Sequence, residues 1–306
     1  MNMEMSDPRL GPALVRIAPV LGACPTLLRR LGGLTNANYL ITAAGEMFVL
    51  RLPGAGTQDY INRKVEAVAA YATAEIGVNA PVLLFDETDG MQVTRFIEGR
   101  TMSEAAFKDE GAIARAAVAL QAVHKTSRKF ANRFELFAMI DEYSALLKAK
   151  GARLPDGYAQ ALAQADVVRS VLQRASIEFA PCHCDPLAEN FVDTGSKMYI
   201  LDWEYSGNND PMWDLGDVAI EARFDPAQER VLLEAYFGGA APAHLQGRMV
   251  LYKAMCDLLW TLWGVIQVAT GNTADDFWAY ACNRLTGCKT TMASVEFAWA
   301  LTVAGE

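Results

Sequence analysis

Hydrophobic and polar positions alternate with a period of two early in the chain and recur at helical spacing later. Asn38 to Ala43 and Met47 to Leu52 flank Ala44-Gly45-Glu46, which predicts a hairpin. In its second arm Phe48, Leu50 and Leu52 share one face, leaving Val49 and Arg51 on the other, opposite the core. Asp59 to Glu75 has a helical period. Val82 to Phe85 and Met91 to Phe96 predict a second strand pair, turned by Asp89-Gly90. From Ser103, which offers an N-cap, helices take over: Ile113, Ala117, Leu120 and His124 form one stripe, and Leu136, Ile140, Tyr143 and Leu147 a second. Tyr158 to Ala175 predicts a third helix. Phe191 to Asp193 and Met198 to Leu201, around Thr194-Gly195-Ser196, form a short β interlude before helices resume near Leu215. Met249 to Val268 is apolar nearly all round, as a core helix is. The expected fold class is α+β in two lobes: a small β-rich lobe over residues 1–97 and a larger helical lobe over residues 98–306.

Composition narrows the partners. With 27 Lys+Arg against 36 Asp+Glu the net charge is −9, a surface that repels phosphate backbones and anionic lipid. Nucleic acid is therefore not an expected partner. The most membrane-like stretch, Leu258 to Ala274, is short and carries Gln267, Thr270, Gly271 and Asn272, so a buried helix is expected and no membrane insertion. Six scattered cysteines, and a polar start with Glu4, Asp7 and Pro8, point to a reducing cytoplasm. Whether the chain forms a homodimer stays open.

The chemistry concentrates in His183-Cys184-Asp185-Pro186-Leu187-Ala188-Glu189-Asn190, followed by a hairpin and Asp202-Trp203-Glu204. The spacing H-x-D-x4-N, with a second acid one hairpin later, is that of a kinase catalytic loop. Phosphoryl transfer needs a carboxylate for the acceptor hydroxyl, plus oxygen donors that hold Mg²⁺ against the phosphates. Upstream, in the right order, stand Gly32-Gly33-Leu34-Thr35-Asn36 before the first strand, then Arg51 in an apolar strand, then Glu66 in the next helix. Each has an ordinary reading: a turn for the glycines, a surface ion pair for Arg51 and Glu66. Five features in order argue otherwise.

These blocks, with Val49-Leu50-Arg51, Ile61-Asn62-Arg63, Asp202-Trp203-Glu204-Tyr205, Asn209, Asp214, Glu221 and Trp260-Thr261-Leu262-Trp263-Gly264, resemble the choline/ethanolamine kinases over about Leu31 to Tyr280. That resemblance implies a two-lobed protein-kinase-like fold and transfer of phosphate from ATP, with Mg²⁺, to a small amino alcohol. It implies Asp185 as catalytic base, Asn190 and Asp202 as magnesium ligands, and Glu204 as a ligand for a second metal. It gives Gly33, Thr35 and Asn36 to the phosphates, and Arg51, oriented by Glu66, to the same task. Phe96 and Ile97, followed by Glu98, would meet adenine. Glu221, Trp260, Trp263 and Tyr280 would hold the cationic headgroup of choline or ethanolamine, which suits aromatic faces backed by a carboxylate. Two departures are visible: Cys184 replaces the usual Asn, and Leu187 stands where many relatives are polar.

Other readings are weaker. Cys182-His183-Cys184-Asp185 cannot turn consecutive residues onto one tetrahedral zinc, and no second ligand pair completes the set. His183 is expected to brace the loop and His124 to be a buried, satisfied histidine. Two rivals to an amino-alcohol kinase stay open: a sugar, homoserine or aminoglycoside kinase of the same fold, and an inactive nucleotide-binding protein.

Overall fold

The computed structural model describes residues 7–33, 36–54, 56–59 and 61–306, with backbone only at Asp59. Its first part is a five-stranded antiparallel sheet in the order β1-β2-β3-β5-β4. The strands are β1 (Thr26–Arg30), β2 (Ala37–Ala43), β3 (Glu46–Leu52), β4 (Val82–Phe85) and β5 (Gln92–Arg95). The hairpin register pairs Tyr39 with Leu50 and Ile41 with Phe48, so the alternating apolar face is continuous across both arms. Helix α1 (Leu10–Leu21) lays Leu10, Ala13, Ile17 and Leu21 on that face, closing a core with Tyr39, Ile41, Leu50 and Val93.

Helix α2 (Arg63–Glu75) starts at Arg63 rather than near Asp59. Thr57–Asp59 is a 3-10 turn, and the Asn62 side chain accepts from the Lys64 and Val65 amides, at 3.2 and 3.4 Å, to cap the helix. Its Ala67 and Ala70 pack with Phe85, while Ala69 and Ala72 join the large core of the second part. One helix thus serves both halves.

The helical part contains α3 (Glu110–His124), α4 (Leu136–Ala149), α5 (Tyr158–Leu172), α6 (Pro211–Glu221), α7 (Pro226–Phe237), α8 (Ala243–Ala269), α9 (Phe277–Met292) and α10 (Val295–Val303). Ser103 caps only a 3-10 turn at Ala106–Lys108. Asp109 caps α3 instead, accepting from the Gly111 amide at 2.9 Å, because the chain turns again between them. Short strands frame the loops: β6 (Arg100–Thr101) pairs with β8 (Phe191–Asp193), β8 with β9 (Met198–Ile200), and β7 (Ala180–Cys182) with β10 (Gly207–Asn209).

Helix α8 organises this part. By length and composition it could cross a membrane, but 78% of its most apolar window is buried inside the protein. Helices α4, α6, α9 and α10 cover it. The α6–α8 contact is close because Gly216 has no side chain: a Cβ there would stand 2.9 Å from the Met249 carbonyl oxygen and 3.2 Å from the Lys253 amide nitrogen.

Gly216→Ala therefore forces backbone against backbone. The variant is expected to lose about 1–2 kcal/mol despite the better helix propensity of alanine, read as a lower thermal midpoint. An unchanged midpoint would contradict the close approach.

Candidate active site

The loop after β7 is held from beneath by one carboxylate. Asp214, fully buried on α6, accepts from the His183 amide at 2.7 Å, the Cys184 amide at 2.8 Å and the His124 ring at 2.9 Å. His124 also meets the Tyr236 hydroxyl at 2.8 Å, so it is the satisfied core histidine expected. His183 braces the loop as expected. Its Nε2 donates to the Leu201 carbonyl at 2.8 Å, Nδ1 accepts from the Asp185 amide at 3.4 Å, and burial pulls its pKa down. Asn190 donates to the Asp185 carbonyl oxygen at 3.2 Å, which closes the turn and sets Asp185 and Asn190 together.

Two non-glycine residues here sit in the left-handed region: Cys184 at φ 68° and Asp202 at φ 64°. Cys184 is held there from both sides, since Asp214 takes its N–H and the Trp213 indole donates to its carbonyl at 3.1 Å.

On the sheet side, Arg51 is not part of a surface pair but buried, because α2 and the Asp202 segment cover the sheet face on which it stands. Its guanidinium donates to Glu66 and, at 3.1 Å, to Asp202. Glu66 also takes Arg63 at 2.6 Å, and Arg63 reaches Glu204 at 3.4 Å. Burial alone would lower the Arg51 pKa, but Glu66, Asp202 and Glu204 carry it above its ordinary value. Glu204, buried and next to Asp202, is pushed up to about 7. Donor atoms of Glu66, Asp202 and Glu204 lie within 4.8 Å of one another. Both Glu66 oxygens are taken by arginines, and Asp202 and Glu204 each accept from one arginine as well, so the three acids are held together by shared cations.

The glycine pair does not precede the first strand. It lies between β1 and β2, because an exposed edge strand, β1, comes before it. Gly33 has φ 148°, and a Cβ there would be 2.5 Å from the Asn36 carbonyl oxygen, so this turn demands glycine. Thr35 lies outside the described residues. Asn36 is buried in the cleft, donating to Glu204 at 3.2 Å and accepting from the Gly54 amide at 3.3 Å. Phe96 and Ile97 follow β5, half-buried, with the Phe96 amide on the Met47 carbonyl at 3.1 Å.

On the helical side, α6, α8 and α9 bring Glu221, Trp260, Trp263 and Tyr280 together. Trp260 meets Tyr205 and Trp263 edge-to-face, with centroids 5.8 and 6.3 Å apart, and Trp263 meets Tyr280 at 5.7 Å. Arg284, one turn after Tyr280, donates to Glu221 and, at 3.1 Å, to Asp257, with its guanidinium 5.1 Å from the Tyr280 ring centroid. Burial raises the Asp257 carboxyl to about 6, against the pull of Arg284. Asp185 feels both sides of the cleft: burial first, then Glu221, Asp202 and Glu204, hold its carboxyl well above the usual range. Arg63, Asp214, Asp217, Asp257 and Arg284 were given no role from sequence. The available signals were Asp257, the only acid in the run Met249 to Val268, and Arg284 at i+4 from Tyr280.

Residues 26–251 match the sequence profile described as "Phosphotransferase enzyme family". The chain is similar to the crystal structure of a choline/ethanolamine kinase family protein from Mesorhizobium loti, with 47% identity and TM-score 0.88, covering 97% of this chain and 98% of that one. It is similar to choline kinase LicA from Streptococcus pneumoniae, with 27% identity and TM-score 0.77 over 93% and 99% of the two chains. A LicA structure in complex with AMP gives 26% identity and TM-score 0.72 over 92% and 98%.

The left-handed Cys184 suits asparagine better than cysteine. Its thiol already lies 3.7 Å from the Cys182 carbonyl and 3.8 Å from that of Gly207, two acceptors an amide NH₂ could use. Cys184→Asn is expected to gain about 0.5–1 kcal/mol in urea denaturation. A clear loss would show that the buried space rejects the amide.

Proposed function

Because the chain belongs to the phosphotransferase enzyme family, we propose that it moves the γ-phosphoryl group of ATP to the hydroxyl of a small amino alcohol, choline or ethanolamine. The observation that carries this reading is the division of acids in the cleft. Asp202 and Glu204 stand on the sheet side near Arg51 and Arg63, while Glu221 and Asp257 stand among aromatic rings on the far side. Asp185 senses both groups. Acids on one side suit a metal; acids with rings on the other suit an organic cation.

In this reading Asn190 and Asp202, with Glu204, would hold Mg²⁺, whose charge would offset that of the phosphate oxygens. The chain's own groups do the rest. Arg51, fixed by Glu66, holds phosphate oxygens; Asn36 and the glycine turn at Gly33 cover them. Phe96 and Ile97 flank the adenine. Asp185 accepts the proton of the acceptor hydroxyl as it attacks. Trp260, Trp263 and Tyr280 present ring faces and edges to the headgroup, with Glu221 for charge. Choline spreads its charge over methyl groups and suits rings; ethanolamine offers N–H donors that need acceptors. The three rings put choline first. A cytoplasmic setting, where ATP is available, fits the free thiols.

A coupled ADP-release assay over choline, ethanolamine, homoserine, kanamycin and sugars, each against a no-acceptor blank, tests the acceptor. Choline and ethanolamine are expected to release ADP. Release with a sugar or kanamycin alone would point to another kinase of the same fold, and none with any acceptor to an inactive nucleotide binder.

Asp185→Ala is expected to lower turnover roughly 10²- to 10⁴-fold while ATP still binds. Near-normal turnover would remove Asp185 from the chemistry.

A further inference from the structure

Behind Glu221, one turn earlier on α6, lies Asp217, fully buried. Its Oδ1 accepts from the Cys256 thiol at 2.9 Å; its Oδ2 is buried and has no hydrogen-bond partner among the described residues. One carboxylate oxygen each of Asp217 and Glu221, and the Cys256 sulfur, lie within 4.8 Å of one another. One turn beyond Cys256 on α8, the Trp260 indole N–H is also buried and without a partner among the described residues. A thiol is a weak donor, and an ionised carboxylate with nothing else to stabilise it is costly to keep in a dry site. The nearby cation, Arg284, is already shared by Glu221 and Asp257.

We infer that Asp217 is a specificity-determining residue for the acceptor: uncharged in the free enzyme, it ionises when a cationic acceptor enters beside Glu221. This deepens, and rests on, the amino-alcohol reading above. The step is a proton exchange: the Asp217 O–H bond breaks, the proton passes to solvent, and the carboxylate left behind faces the arriving cation. No electron moves. A neutral alcohol brings no charge to match, so it gains nothing from Asp217.

The groups facing Asp217 agree. From its own helix comes Glu221, from the loop after β7 Asp185, from α8 Cys256, and from α9 Arg284. Burial first, then Glu221 and Asp185, hold its carboxyl well above the ordinary range, and Cys256 and Arg284 offset this only in part. Burial likewise raises the Cys256 thiol, which therefore remains a donor. The sign follows: at a pH below the raised value the cation must expel a proton, so acceptor affinity rises with pH and levels off once Asp217 ionises without help. One proton sets a limit of about tenfold per pH unit.

The probe is choline, titrated into the full-length protein with Mg²⁺ and a non-hydrolysable ATP analogue, by calorimetry in buffers of different ionisation enthalpy. The wild type is expected to release up to one proton and to bind choline more tightly from pH 6 to pH 8. Asp217→Asn should release less, flatten that slope and raise KM for choline roughly 10- to 100-fold, sparing KM for ATP. A merely structural Asp217 would lower the thermal midpoint without moving the slope. Should Asp217→Asn fail to fold, the wild-type proton count still decides, and zero release overturns the proposal. Choline turnover with no proton release, or with an unchanged slope in Asp217→Asn, overturns this inference alone. No turnover with any amino alcohol overturns the acceptor reading and this inference together.

Discussion

Buried carboxylates repel one another unless cations stand between them, and the cleft of this protein is built around that constraint. Arg51 and Arg63 separate Glu66, Asp202 and Glu204 on the sheet side; Arg284 separates Glu221 and Asp257 on the helical side. The arginines come from β3, α2 and α9, so each pair also ties elements together. Arg51 is the strongest case, because Glu66 belongs to α2 while Asp202 follows β9 in the helical part. Losing Arg51 itself would leave Asp202 without its arginine and Glu66 with Arg63 alone, a change of the kind that costs about 3–5 kcal/mol in a buried site. The arrangement orders the cleft and leaves it with more acids than arginines.

The catalytic loop shows the same economy with backbone groups. Asp214 takes two successive amides, and Trp213 takes the carbonyl between them and Asp185. These bonds hold Cys184 in a conformation it would not choose, and that kink presents Asp185 to the cleft. Cys182, His183, Cys184 and Pro186 therefore pack into the interior while Asp185 is only partly covered.

What could be read from sequence was local. The hairpin arms were legible from alternation, and the Asp185–Asn190 loop from its spacing, since each arm and the loop span fewer than ten residues. Helix α1 was not: it carries Pro19 in its interior, and Arg9 at its N-cap position supplies no capping side chain. Strand β1 was missed because, as an exposed edge, it shows no alternation. Arg51 was legible as an odd charge in an apolar strand, but its burial depends on α2 and on Asp202, more than a hundred residues away. The same holds for Asp217, Asp257 and Arg284. Each is unremarkable on its own helix and acquires meaning only where α6, α8 and α9 meet.

The central claim is that the acceptor's own hydroxyl attacks the γ-phosphorus while Asp185 takes its proton. Choline carrying ¹⁸O in its hydroxyl, incubated with the protein, ATP and Mg²⁺, tests this directly by mass spectrometry and the isotope shift in the ³¹P spectrum. A phosphomonoester that retains the ¹⁸O label is the result expected. Inorganic phosphate as the sole product, or a phosphoester without the label, would contradict it.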